Sequence, residues 1–242
     1  MQHSDILNLA GLRVDGRLPA DLRRLQHKLG SMRNVDGSCY LEQGLNKVLV
    51  TVLGPVEQTR QDDRHADRGT VTVTIAHAAF SGTERKARRH GDRRVLEMEG
   101  TLQQSLEGVV CLELYARSDI RVNVNVLEAD GSLVCTVINA ACLALMDAGI
   151  NMTDMLCACS SGLVKQRLCT DLNQVEQGSG AAYLPVAIKA TSEEVVYMQL
   201  DARLGAGQLE AAMETAVAGC RVLRDYMSAA IRETMREQAP EV

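Results

Sequence analysis

Two arginines, Arg93 and Arg94, follow Asp92 where the spacing of Val95, Met98, Leu102, Leu106 and Val109 predicts the start of a helix. This is the wrong end of a helix for cations, because its first amides already present unpaired positive partial charge. Two arginines there cost a few tenths to about 1 kcal/mol, unless a polyanion such as an RNA phosphate supplies the missing charge. An ion pair with Asp92 or Glu97 would answer the same need. Arg85, Lys86, Arg88 and Arg89 precede the pair, so the segment concentrates cations, and from the residues alone an anion site and an ion pair stand level.

Other positions suggest weaker chemistry. The stretch from Glu57 to Gly69 mixes Arg60, Arg64 and Arg68 with Asp62, Asp63 and Asp67, and its default reading is a solvated surface loop. Asp130-Gly131-Ser132 opens an apolar helix, where backbone amides and a hydroxyl could hold an anion. The simpler expectation is that Ser132 caps its own helix. Asp171 and Glu176 could be paired carboxylates, but single acids after strands are common on loops and no nearby histidine or third acid joins them.

Strands and three helices must position these groups. Ser38 to Glu42 and Lys47 to Leu53 flank a Gly44 turn, and they read, with Thr70 to Ala76, as hairpin strands. Further strands are expected at Arg121 to Glu128, Leu156 to Val164, Arg167 to Leu172, Ala182 to Lys189 and Val195 to Leu200. Asp92 is the expected cap of the first helix. The run from Ser132 is apolar on nearly all sides and stops at Gly149, so it must lie between layers. The last helix begins near Gln208 and carries Leu209, Met213, Ala216, Cys220, Leu223, Met227 and Ile231 on one stripe. Only four prolines and no low-complexity stretch occur, which argues against a linker between independent domains. We expect one body over residues 1–242, of two fused β-rich lobes meeting near residues 128–150.

Composition bounds the function. A hydrophobic fraction of 46% and a charged fraction of 24% are ordinary for a soluble globular protein, and no segment approaches the roughly 20 apolar residues of a membrane helix. Met1 to Gly16 has no basic start followed by an apolar run, which favours a nuclear or cytoplasmic setting. The eight cysteines sit singly in apolar stretches, apart from Cys157 and Cys159 on one strand face, and read as buried reduced thiols. With no Trp and one Phe, base stacking is a poor expectation and RNA contact must be mainly electrostatic. A net charge of -5 argues against a freestanding nucleic-acid binder and leaves one basic face.

The segments RVDGR (Arg13 to Arg17), NVDGSCYLEQG (Asn34 to Gly44), FSGTERKARRHGDRR (Phe80 to Arg94), LEADG (Leu127 to Gly131), LALMDAGI (Leu143 to Ile150) and DLNQVE (Asp171 to Glu176) together resemble the RNase PH-like ring subunits of RNA exosomes. The eukaryotic version looks closest, of the type whose archaeal member is phosphorolytic. The resemblance covers nearly the whole chain. It implies an α+β, RNase PH-like fold of two β-α-β-type lobes, similar to ribosomal protein S5 domain 2, packed into one body. It also implies a six-membered ring of RNase PH-like subunits that threads single-stranded RNA.

By position, Arg93 and Arg94 match paired arginines that hold RNA phosphates in catalytic relatives, with Arg85 and Lys86 beside them. Arg60 and Arg64 match a loop lining the neck of the ring. Active relatives grip phosphate with a hydroxyl-rich or basic turn, where this chain has Leu133 and Val134. They also place two aspartates six residues apart to position a metal or assist proton transfer, where this chain has Asp171 and Gln177. The expectation is therefore a degenerate site at Ser132, Asp171 and Gln177, no catalysis, no metal and no cofactor. The subunit would guide RNA, beneath S1/KH cap subunits, to a separate hydrolytic exoribonuclease in the nucleus, nucleolus and cytoplasm, with no membrane involved. The alternative is an active phosphate-dependent 3′–5′ exoribonuclease.

Overall fold

The computed structural model describes residues 12–57, 67–82, 85 and 92–238. Strands β1 (Leu25–Leu29), β2 (Gly37–Gln43), β3 (Asn46–Glu57), β4 (Thr70–His77) and β5 (Ser118–Glu128) form one sheet in the order β1-β2-β3-β5-β4. Strands β6 (Leu156–Val164), β7 (Arg167–Thr170), β8 (Ala182–Lys189) and β9 (Val195–Met198) form a second, in the order β7-β6-β8-β9. The first sheet owes its inner face to period-two patterning: Val48, Val50 and Val52 of β3 and Ile120, Val122, Val124 and Val126 of β5 are buried. Each such side chain contributes about 1.5–3 kcal/mol by leaving water.

The expected hairpin of β2 and β3 is present, with Gly37 opposite Val52 and Gln43 opposite Asn46. β4 departs from it. It pairs with β5, in parallel, from Thr70 opposite Asp119 to His77 opposite Val126. β5 thus lies between β3 and β4, and a hairpin between the latter two cannot form. β1 was not anticipated; it is an edge strand whose Gln26 and Lys28 face solvent.

Helix α1 (Arg93–Glu107) packs on β4, and Asp92 caps it, its carboxylate accepting from the Arg94 amide at 3.2 Å. Helix α2 (Leu133–Asp147) is buried continuously from Cys135 to Leu145 and packs on β2 and β3 on one side and β6 on the other. That double contact is why its sequence lacks a polar stripe. Gly149, at φ +69°, ends it: the Gly149 amide donates to the Met146 carbonyl at 3.1 Å and the Ile150 amide to that of Leu145 at 3.1 Å. This is the Schellman arrangement that favours glycine. A short helix α3 (Gln174–Gly178) follows β7, and the long α4 (Ala206–Gln238) lays Ala212, Ala216, Cys220, Leu223, Met227 and Ala230 against the second sheet.

Candidate functional site

Two segments far apart in sequence meet where α2 begins. One is the loop from Thr170 to Gln177. Asn173 accepts from the Glu176 amide at 2.9 Å, while the Glu176 carboxylate accepts from the Asn173 amide at 3.0 Å, a reciprocal capping box on α3. The Glu176 carboxylate is fully buried and is held by Arg13, whose Nε donates at 2.7 Å and whose Nη2 donates to the second oxygen. Arg13 also donates to the carbonyls of Thr170, at 2.5 Å, and Asp171, at 2.8 Å. Asp171 is 1% exposed and sits in the left-handed region at φ +52°. Arg23 grips its carboxylate, Nη2 donating to Oδ1 at 2.6 Å and Nε and the backbone amide to Oδ2 at 3.0 Å each.

Burial opposes charge on Arg13, Arg23 and Asp171, and their partners outweigh it. Glu176 raises the Arg13 pKa against desolvation, and Asp171 does the same for Arg23. Desolvation pushes the Asp171 carboxyl upward, yet the charge and hydrogen bonds of Arg23 hold it below the usual carboxylate range. Asp171 and Glu176 are thus not free catalytic acids but the anionic halves of two buried ion pairs.

The second segment is the turn Asp130-Gly131-Ser132. The Asp130 amide donates to Asn46 Oδ1 at 2.5 Å, and Asn46 Nδ2 donates to the Gly131 carbonyl at 2.7 Å. Gly131 has φ +70°, and a Cβ there would stand 2.4 Å from the Asn173 carbonyl carbon and 2.5 Å from the Gln174 nitrogen. Only glycine lets turn and loop touch. Ser132 does not cap α2 as expected. At φ +51° it turns inward, and its Oγ donates to the Leu172 carbonyl at 2.8 Å and lies 2.5 Å from Ser160 Oγ. The first turn of α2 therefore has no side-chain cap, and its opening amides lack that partner.

A cavity of about 620 Å³ adjoins this turn, lined by Leu45, Lys47, Phe80, Ser81, Asp130 and Gln174 among others. Phe80, the only phenylalanine, is 73% exposed at its rim. Burial raises the pKa of the Asp130 carboxyl, outweighing the Gln174 amide and the positive charge of Arg23. Lys47 is paired with Glu128 at 2.9 Å.

Arg93 and Arg94 are exposed in the first turn of α1, which holds no acidic residue, and among the described residues neither forms an ion pair. Arg85 is exposed too. Arg60, Arg64 and Lys86 lie outside the described residues. Among the sequence-predicted positions, the structure sets Ser132 against Leu172, the residue after Asp171, with Gln177 one turn along α3. Sequence reasoning missed Arg13, Arg23 and Asn46, the residues that hold these segments. Asp171 and Glu176 beside apolar Leu172 hint that buried acids need cations, but nothing in the sequence says which cations those are.

The model of the 3′ exoribonuclease family matches residues 21–151 with its first domain and residues 154–219 with its second. The chain belongs to the RNase PH family of 3′ exoribonucleases. Among RNase PH relatives, the human exosome complex component RRP41 is 39% identical over 96% of this chain and 96% of its own length. The exosome complex component Rrp41 of Methanopyrus kandleri is 36% identical over 92% of this chain and 93% of its own. The crystal structure of rice Rrp46 superposes with a TM-score of 0.81 at 23% identity, covering 90% of this chain and 100% of that one, and bears out the α+β RNase PH-like fold.

The expectation of an inactive RNase PH relative is corrected by these matches, which run through archaeal Rrp41, the subunit type the motif resemblance gave as phosphorolytic. Leu133 and Val134 pack on the core, so they remove nothing that backbone amides offer an anion. The sequence expectation makes Gln177 the lost partner of a catalytic Asp171; in the structure Asp171 is paired with Arg23 at 2.6 Å. The same guanidinium repels a divalent ion there, so Asp171 and Gln177 do not fit the metal that the resemblance implied.

Proposed function

We propose that the chain is an Rrp41-type subunit of an RNA exosome and an active phosphate-dependent 3′–5′ exoribonuclease. The observation that carries this reading is the uncapped first turn of α2 beside a cavity, at a point where the family's two domains meet. Unpaired helical amides are a ready receptor for inorganic phosphate. In the reaction a phosphate oxygen attacks the last phosphodiester phosphorus, the bond from phosphorus to O3′ breaks, and O3′ takes up a proton. The products are a nucleoside 5′-diphosphate and RNA one residue shorter. The Asp130 carboxyl lines the cavity, and burial raises its pKa from the ordinary carboxylate range, the direction that proton donation to O3′ calls for.

Exposed Arg93 and Arg94 serve the same reading by drawing the RNA backbone toward the site. Other RNase PH-like subunits complete a ring. S1/KH caps, a hydrolytic nuclease and a nuclear, nucleolar and cytoplasmic location belong to the same proposal and rest on the motif resemblance alone.

The test is 3′-end degradation of single-stranded RNA by the ring assembled with its partner subunits, with and without inorganic phosphate. Nucleoside diphosphates appearing only with phosphate are expected; their absence, or monophosphates independent of phosphate, would overturn the reading. Reversing both cations, Arg93→Glu with Arg94→Glu, is expected to weaken RNA binding and to flatten its log-log salt slope by about 1.4, at about 0.7 per single-strand phosphate. An unchanged slope would remove these arginines from the RNA path.

A further inference from the structure

We propose that Arg23 is a positioning residue of this site, a planar spacer that fixes the α2 turn against the Thr170–Gln177 loop and sets its affinity for inorganic phosphate. The inference rests on the phosphorolytic reading above. The Arg23 guanidinium is nearly dry and spends its donors in two directions. Toward the loop it makes the bidentate contact with Asp171. Toward the turn, Nη1 donates to the Asp130 carbonyl at 2.7 Å and Nη2 to the Gly131 carbonyl at 3.3 Å. Gly44 makes room for the stem, since a Cβ there would stand 2.5 Å from Arg23 Cδ.

A trans peptide sets its C=O and N–H on opposite sides of a rigid plane. With the carbonyls of Asp130 and Gly131 drawn to Arg23, the amides of Gly131 and Ser132 point away from it. Asn46, on β3, holds the Gly131 carbonyl from the first sheet, while the Asp171 amide donates to the Ser160 carbonyl of β6 at 2.7 Å. Arg23 therefore joins a turn anchored on one sheet to a loop anchored on the other, with a fork whose internal angles do not flex. A lysine keeps the charge but is a point donor on a flexible stem, and it cannot face a carboxylate and two carbonyls at fixed spacing.

A merely structural ion pair and a positioning fork differ in what an apolar replacement restores. Removing both charges, Arg23→Met with Asp171→Asn, leaves no unpaired buried ion, keeps at φ +52° a residue type that tolerates the left-handed region and retains an oxygen for the amide of residue 23, and so recovers stability. It does not recover donors for the two turn carbonyls.

Wild type, Arg23→Lys and this double variant are compared as full chains, by melting temperature with and without inorganic phosphate, and in the assembled ring, by kcat and KM for phosphate. Both variants are expected to lose about 10²-fold in kcat/KM for phosphate, carried by KM, while KM for RNA holds within about 2-fold. The double variant should nonetheless melt within about 4 °C of wild type. Recovery of KM together with melting temperature in the double variant would overturn the inference and leave Arg23 a purely structural residue. If the wild-type ring releases no nucleoside diphosphate, the functional reading fails, and the melting data decide this one. A phosphate-induced rise in wild type that both variants lose sustains the positioning role, and no rise in wild type overturns it.

Discussion

Replacing Glu176 with alanine is expected to lower the unfolding free energy by about 3–5 kcal/mol, among the largest effects available to a single substitution in this chain. The size follows from what would be left behind. The Arg13 side chain has no solvent exposure, and without the carboxylate its charge is stranded in the interior. The capping box on α3 loses its reciprocal half at the same time, because the Glu176 carboxylate is the group that accepts from the Asn173 amide. Urea unfolding checks this, the midpoint falling while the slope stays constant. Arg13→Met with Glu176→Leu should recover most of the loss, because no buried charge then lacks a partner. A Glu176→Ala protein within about 1 kcal/mol of wild type would mean that water reaches Arg13 and that the pair is not sealed.

The second large effect is on activity. Gly131→Ala puts a methyl group 2.4 Å from the Asn173 carbonyl carbon, where the neighbour is backbone and cannot rotate aside. It also asks alanine to hold φ +70°, which costs about 1–3 kcal/mol in strain. Turn and loop must separate, and a displacement on the order of 1 Å at a positioned site costs about 10²-fold in rate. The expected result is a folded subunit that joins its ring and has lost about 10²-fold in phosphate-dependent release of nucleoside diphosphates. Activity within about 3-fold of wild type would show that the contact between turn and loop is not what aligns the reacting groups.

How much was legible in the sequence differs by element. β3 and β5 advertise themselves through alternating valines and isoleucines, and α2 through an apolar run too long and too even for a surface helix. β1 was invisible because an edge strand with Gln26 and Lys28 facing solvent looks like any polar segment. The pairing of β4 was misread because local sequence suggests hairpins, whereas its true partner, β5, begins some forty residues later, beyond α1. At the site, the cationic start of α1 could be read from the conflict between charge and helix dipole. Arg13 and Arg23 could not. An arginine in a polar N-terminal stretch looks solvated until the loop that buries it arrives from about 150 residues away, and Ser132 looks like a helix cap until Ser160 and Leu172 offer its hydroxyl better partners.

Seven of the eight cysteines are buried in the native fold, and burial pushes their thiols upward, to about 12 for Cys142 and Cys220. A sulfur that stays protonated and walled off is a poor nucleophile and a poor target for peroxide. Oxidative damage to these side chains thus waits on loss of native packing. For these seven thiols, resistance to oxidants and resistance to unfolding are one property.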